Sequence, residues 1–191
     1  MKEKESFRIN RYKDNNFKEH VSLYKYKDIR KEILDYKFND KSYYYRAFSN
    51  ILLNNKNICK ILKSYDIIVP VPIHKKRKFQ RGYNQAELIT KQIAIELNKS
   101  GLSKFKSVNI LVKNKNTRAQ STLNKIERIE NVKNIYEINW KEIEKKQIKN
   151  SMKILLFDDI YTTGATANEC AKIIKKELNP KKIGILTLAK D

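Results

Sequence analysis

The run Lys153-Ile-Leu-Leu-Phe-Asp-Asp constrains this 191-residue chain more than any other feature. A strand with one wet face alternates apolar and polar residues. A strand apolar throughout needs cover on both faces, which is the condition of a parallel strand between layers of helices. The pattern recurs at Asp66-Ile-Ile-Val-Pro-Val-Pro, where the prolines end the run, and at Lys182-Ile-Gly-Ile-Leu-Thr-Leu-Ala. Helical periodicity separates these strands: Ile89, Ile93 and Leu97 mark one buried face, and residues 166–178 read as another helix. Strands alternating with helices predict an α/β fold with a mainly parallel central sheet flanked by helices.

The remaining text is assigned more coarsely. Residues 1–20 read as a polar, irregular arm. Residues 21–64 read as a helical N-terminal cap, with Ile29, Ile33 and Leu34 striping one helix and residues 42–62 forming a second. The core then spans 65–191. Residues 73–83 read as a basic loop, 108–112 as a strand, and 132–136 and 138–140 as short strands. Asn84 with Glu87, and Thr166 with Glu169, have capping-box spacing.

Composition excludes several classes. No stretch reaches the roughly 18 apolar residues of a membrane span, and Met-Lys-Glu-Lys-Glu-Ser lacks the apolar core of a secretory signal. The expectation is a cytoplasmic protein, without membrane contact. Two cysteines, Cys59 and Cys170, and two histidines, His20 and His74, build neither a zinc site nor a disulfide framework, so no zinc is expected. The net charge of +21 would attract polyanions. Yet 34 Lys, 25 Ile and 20 Asn, against 8 Arg and 4 Gly, also fit drift toward A/T-rich codons. Both readings of the charge stay open, and drift makes each surviving Arg and Gly more telling.

The chemistry concentrates where the strand ends. Asp158 and Asp159 arrive at its carboxyl end, the edge of an open α/β sheet where ligands bind. Thr162-Thr163-Gly164-Ala165-Thr166 then opens a helix. Helix N–H groups and the helix dipole make that junction an anion cradle, Gly164 permits close approach, and the hydroxyls add donors. Carboxylates suit a sugar diol and the cradle suits a monophosphate, so the pair describes a ribose 5-phosphate. No GxxxxGK[ST] or GxGxxG text is present.

Asp158-Asp-Ile-Tyr-Thr-Thr-Gly-Ala-Thr resembles the phosphoribosyl pyrophosphate (PRPP) motif of type I phosphoribosyltransferases. Val69-Pro-Val-Pro-Ile-His-Lys-Lys-Arg-Lys-Phe-Gln-Arg-Gly-Tyr-Asn-Gln and the segment carrying Arg118, Gln120, Leu123, Arg128 and Asn131 are similar to two stretches of the ComF family of competence proteins. That resemblance implies a type I phosphoribosyltransferase fold with a small N-terminal hood. It implies Asp158 and Asp159 on the ribose of PRPP and 162–166 on its 5-phosphate. Transfer of the phosphoribosyl group would be Mg²⁺-dependent, the Mg²⁺ arriving mainly with PRPP. His74, Lys75, Arg77 and Arg118 would face the pyrophosphate, and Arg81 is the candidate catalytic residue. Alternatives stay beside these assignments: a solvated basic turn for Lys75, a structural hydrogen bond for His74, helix capping for Arg118 and Arg128. The resemblance also implies a setting in DNA uptake, with single-stranded DNA and a competence helicase as partners. Its second form is a non-catalytic PRPP- or nucleotide-binding module.

Overall fold

The central strand of the protein is β7 (Lys153–Tyr161), flanked in parallel by β8 (Lys182–Lys190) and β3 (Ile67–Pro70). The computed structural model describes residues 7–12, 16–39, 41–101, 105–117 and 124–191. Beyond β3 lies the two-residue β4 (Lys106–Ser107), and beyond β8 lies β2 (Glu19–Lys25), both parallel. β1 (Arg8–Arg11) closes that edge antiparallel to β2, giving the order β1-β2-β8-β7-β3-β4. A separate antiparallel pair joins β5 (Leu111–Lys113) and β6 (Tyr136–Ile138). The expected α/β class, with a mostly parallel sheet between helices, is therefore what the chain adopts.

Each apolar run is explained by the two layers it separates. Ile154 and Leu156 join a core with Cys170 and Ile174 of α8 (Ala165–Leu178), together with β5 and β6. Leu155 and Phe157 join the opposite core. That core holds Ile89 and Ile93 of α5 (Gln85–Lys99), Phe48 and Leu52 of α2 (Tyr44–Asn54), and Ile29 and Ile33 of α1 (Tyr26–Phe38). Cys59 and Cys170 are both free.

Several expectations are corrected. The segment read as a polar arm contains β1 and the start of β2, and the segment read as purely helical contributes β2 to the sheet. The polar letters misled because His20 and Ser22 are fully buried beside Val21 and Leu23 where β2 pairs with β8. The single helix over 42–62 is two, α2 and α3 (Lys56–Lys63). Asn55 leaves the helical region and its side chain accepts from Asn57 N and Ile58 N at 3.1 Å each. The basic loop is a short helix, α4 (Lys75–Arg81), ended by Gly82 at φ 76°. Of the strand expected over 108–112 only Leu111 and Val112 form one, as part of β5; residues 108–110 are outside any strand, and β4 ends before them at Ser107. Of the two strands placed at 132–140 only β6 forms, because Trp140 opens α7 (Trp140–Lys146). Residues 125–131 form α6 (Lys125–Asn131), opened by a capping box between Asn124 and Glu127.

Candidate functional site

A cavity of about 420 Å³ lies at the carboxyl ends of β3 and β7, within the size range of small-molecule sites. Arg30, Arg77, Arg81 and Arg128 line it, four of the chain's eight arginines, against only Lys37 and Lys113 of its 34 lysines. Lysine dominates the chain as a whole, so this cavity is enriched in arginine, whose planar guanidinium can bond an anion through two N–H groups.

Asp158 and Asp159 both line the cavity and both lie near Lys37, and Asp158 Oδ1 accepts from Asp159 N at 2.9 Å. Asp159 is buried and ion-pairs with Lys37 of α1. Asp158 senses Lys113, Tyr136 and Cys170 on the α8 side. Burial, reinforced by the adjacent Asp159, pushes the Asp158 carboxyl well above the usual carboxylate range. A group that offered hydrogen bonds to Asp158 would relieve the cost of its ionised form.

All of residues 162–166 reach the same cavity and lead into α8. The capping expectation is corrected here. Gly164, at φ 77°, is the N-cap and makes no side-chain bond; Thr163 Oγ1 accepts from Ala165 N at 3.3 Å. Glu169 does not reach back. It is buried and accepts from Asn134 N at 3.0 Å, tying α8 to the start of β6. A side chain at Gly164 would run into the ring of Tyr161. Tyr161 is itself backed by His20, the rings stacked with centroids 3.9 Å apart. His20 Nε2 and Thr187 Oγ1 are in hydrogen-bond contact at 2.8 Å. Burial, then the charge of Lys190, pushes His20 down to about 3, so its ring is a neutral backstop for the loop.

On the basic side Arg77 and Arg81 line the cavity. Arg77 donates from Nη2 to Thr117 O at 2.7 Å, and Arg81 stacks over Phe38 at 4.8 Å. Lys113 projects from β5 toward Tyr136 and lies 5.7 Å from that ring. Burial, then the nearby Arg77, lowers Lys113 to about 8. His74 and Lys75 are not among the cavity-lining residues. His74 is buried and caps α4, its Nδ1 accepting from Lys76 N at 3.3 Å; Lys75 is exposed. Arg118, Gln120 and Leu123 lie outside the described residues. Lys37, Lys113, Tyr136, His20 and Tyr161 went unassigned in the sequence. Their joint presence depends on pairings between β2, β5, β7 and α1 that carry no local text.

For a divalent cation the relevant donors are few. Among the described residues no group of three or more His, Cys, Asp and Glu could hold a metal ion. Mg²⁺ ordinarily binds through one or two carboxylates and substrate phosphates. The Asp158–Asp159 pair fits that donor set.

No protein-family model matches the chain. Among curated proteins it is 33% identical to competence protein F of Haemophilus influenzae over 129 residues, covering 68% of this chain and 52% of that protein. The chain belongs to the ComF family. It is also 27% identical to competence protein ComFC of Bacillus subtilis over 87% of this chain and 62% of that one. A third relative, ComFC of Streptococcus pneumoniae, is 28% identical over 82% and 62%. This ComF chain thus spans between about half and three-fifths of the length of the curated relatives it matches. Among solved structures, adenine phosphoribosyltransferase of Thermoanaerobacter pseudethanolicus aligns at 14% identity, over 73% of this chain and 84% of its own. The TM-score is 0.37, too distant a likeness to bear on function. Among the described residues, no helix is long and apolar enough to cross a membrane.

Proposed function

We propose that this ComF-family chain binds PRPP with Mg²⁺ and transfers its phosphoribosyl group to a nitrogen nucleophile. The observation that carries the reading is one cavity that joins an acid pair, a Thr-Thr-Gly loop at a helix N-terminus, and the guanidinium groups of Arg77 and Arg81.

The 5-phosphate sits on the 162–166 loop, where the first turn of α8 leaves N–H groups without intrahelical partners. The ribose hydroxyls donate to Asp158 and Asp159, and Asp159 keeps its ion pair with Lys37. Arg77, Arg81 and Lys113 face the pyrophosphate. Asp158 and Asp159 are the protein groups that would help hold Mg²⁺, which supplies charge neutralisation at the leaving group. In the transfer, the nitrogen lone pair forms the bond to C1 while the C1–O pair departs with pyrophosphate. Any proton on that nitrogen passes to solvent. Arg77 and Arg81 meet charge that develops on the leaving oxygen.

Calorimetric titration with PRPP and Mg²⁺, followed by pyrophosphate release across a panel of nitrogen heterocycles, tests this reading. Binding together with release on adding one heterocycle supports it. Binding without release for any acceptor reduces it to a PRPP-binding module. No binding removes the assignment.

A second reading is favoured by one observation on α4. Phe79 is 91% exposed, beside exposed Lys75, Lys76 and Lys78. An aromatic face among cations is how single-stranded nucleic acid is held without sequence readout. In that reading the chain handles single-stranded DNA during uptake, alongside a helicase of the competence machinery. Affinity for an oligonucleotide should fall steeply with salt and drop on Phe79→Ala; salt-independent or absent binding would sink it.

A further inference from the structure

α1 forms the cavity wall on the side of Asp159, and its composition there is selective. At helical spacing it presents Tyr26, Arg30, Leu34, Lys37 and Phe38. None of its three acids, Asp28, Glu32 and Asp35, lines the cavity. Asp35 is instead held by Asn39 Nδ2 at 2.7 Å and Lys41 Nζ at 2.8 Å. The wall is therefore cationic and aromatic with no carboxylate of its own. Lys37 is engaged with Asp159, so Arg30 is the α1 cation left to meet a ligand. Phe38 lines the cavity and keeps 64% of its surface exposed, with Arg81 packed over its ring. Codon drift would supply lysine here; the guanidinium at position 30 runs against it.

We propose that the acceptor is a planar nitrogen heterocycle carrying a carboxylate or an equivalent anionic group. Its ring lies against Phe38 and its anion is received by Arg30. The proposal rests on the phosphoribosyl-transfer reading of the same cavity. Arginine receives a carboxylate through two parallel N–H···O bonds, which fixes the ring's orientation as well as its charge. A neutral base of the same shape would keep the stacking and lose the clamp. The transfer itself is unchanged: a ring-nitrogen lone pair forms the bond to C1 and the C1–O pair leaves with pyrophosphate.

The test uses the full chain saturated with PRPP and Mg²⁺, saturation being measured first. Matched probes are titrated in: pyridine-3-carboxylate against pyridine-3-carboxamide, and uracil-6-carboxylate against uracil. In at least one pair the carboxylate should bind tenfold or more tightly than its neutral partner. Arg30→Gln should abolish that preference while PRPP affinity holds, and Phe38→Ala should weaken both members alike. Equal binding of the pair, tighter binding of the neutral member, or a preference that survives Arg30→Gln overturns the proposal. Failure of every heterocycle to bind the saturated protein overturns it too, and leaves the PRPP site standing. Failure of PRPP itself removes the underlying reading and the acceptor class with it. Loss of oligonucleotide binding in Arg30→Gln, with no heterocycle preference, reassigns the cation to a polyanion and likewise overturns it.

Discussion

Lys113 turns the cavity's electrostatics into a pH dependence. Its lysine is lowered to about 8 by burial and by Arg77, so the ammonium is present below that pH and lost above it. An anionic ligand prefers the charged form, and binding above pH 8 must take up a proton. PRPP affinity in the wild type should fall between pH 7.5 and 9.5, and Lys113→Met should be weaker at pH 7 with a flatter profile. Calorimetry across that range checks both slopes; parallel profiles would remove Lys113 from the site. Gly164 makes a second residue-scale prediction. Its φ of 77° and the Tyr161 ring leave no room for a Cβ. Gly164→Ala should lose about 1 kcal/mol or more of stability and more than tenfold in PRPP affinity, read by thermal unfolding and titration. At this scale the adjacent acids and the glycine were legible, because short-range text places them at one strand end. Lys37, Lys113 and His20 were not. Each enters the site from an element distant in sequence, and a lone Lys in a chain with 34 of them carries no signal.

Among the elements, α4 and α5 show how the basic segment is held beside the cavity. Asn84 caps α5 by accepting from Ala86 N at 3.1 Å and donates to Val71 O at 3.0 Å, fastening the helix to the chain leaving β3. Glu87 does not complete a capping box. It meets Lys78 of α4 at 2.9 Å and Lys91 at 2.8 Å, and accepts from Asn109 at 3.1 Å. Burial alone would raise this carboxyl, but the bonds from Lys91, Lys78 and Asn109 outweigh it and hold Glu87 at about 2. A depressed carboxyl contributes stability above its unfolded value near 4.3 and loses it as pH falls toward the folded one. Glu87→Gln should therefore lower the melting temperature at pH 7, with the gap from wild type narrowing between pH 4.5 and 3. A gap constant with pH would mean the charge is not what binds α4. The capping motif was legible to half its extent. Asn84 acts locally, whereas the fate of Glu87 is decided by tertiary partners. β2 was missed for a related reason: His20 and Ser22 look like surface letters until β8 covers them.

On the scale of the molecule, charge and site separate. Lysine spreads over the surface, and arginine collects where a ligand would need planar donors. The parallel sheet makes that possible by delivering Val71, Asp158 and the loop to α8 at one edge, with α1 and β5 as opposite walls. On the proposed reading, this edge binds PRPP. Thermal unfolding with and without PRPP and Mg²⁺ tests it most directly, run on the wild type and on Asp158→Asn. Asp158 is the better probe of the acid pair because Asp159→Asn would also strip Lys37 of its partner. Ligand at about 100 times its dissociation constant adds roughly 2.7 kcal/mol, or about 5–11 °C for a domain of this size. The wild type should show that rise and Asp158→Asn should lose it, with the unliganded variant still folding cooperatively. An equal rise in both proteins, or none in the wild type, would contradict it.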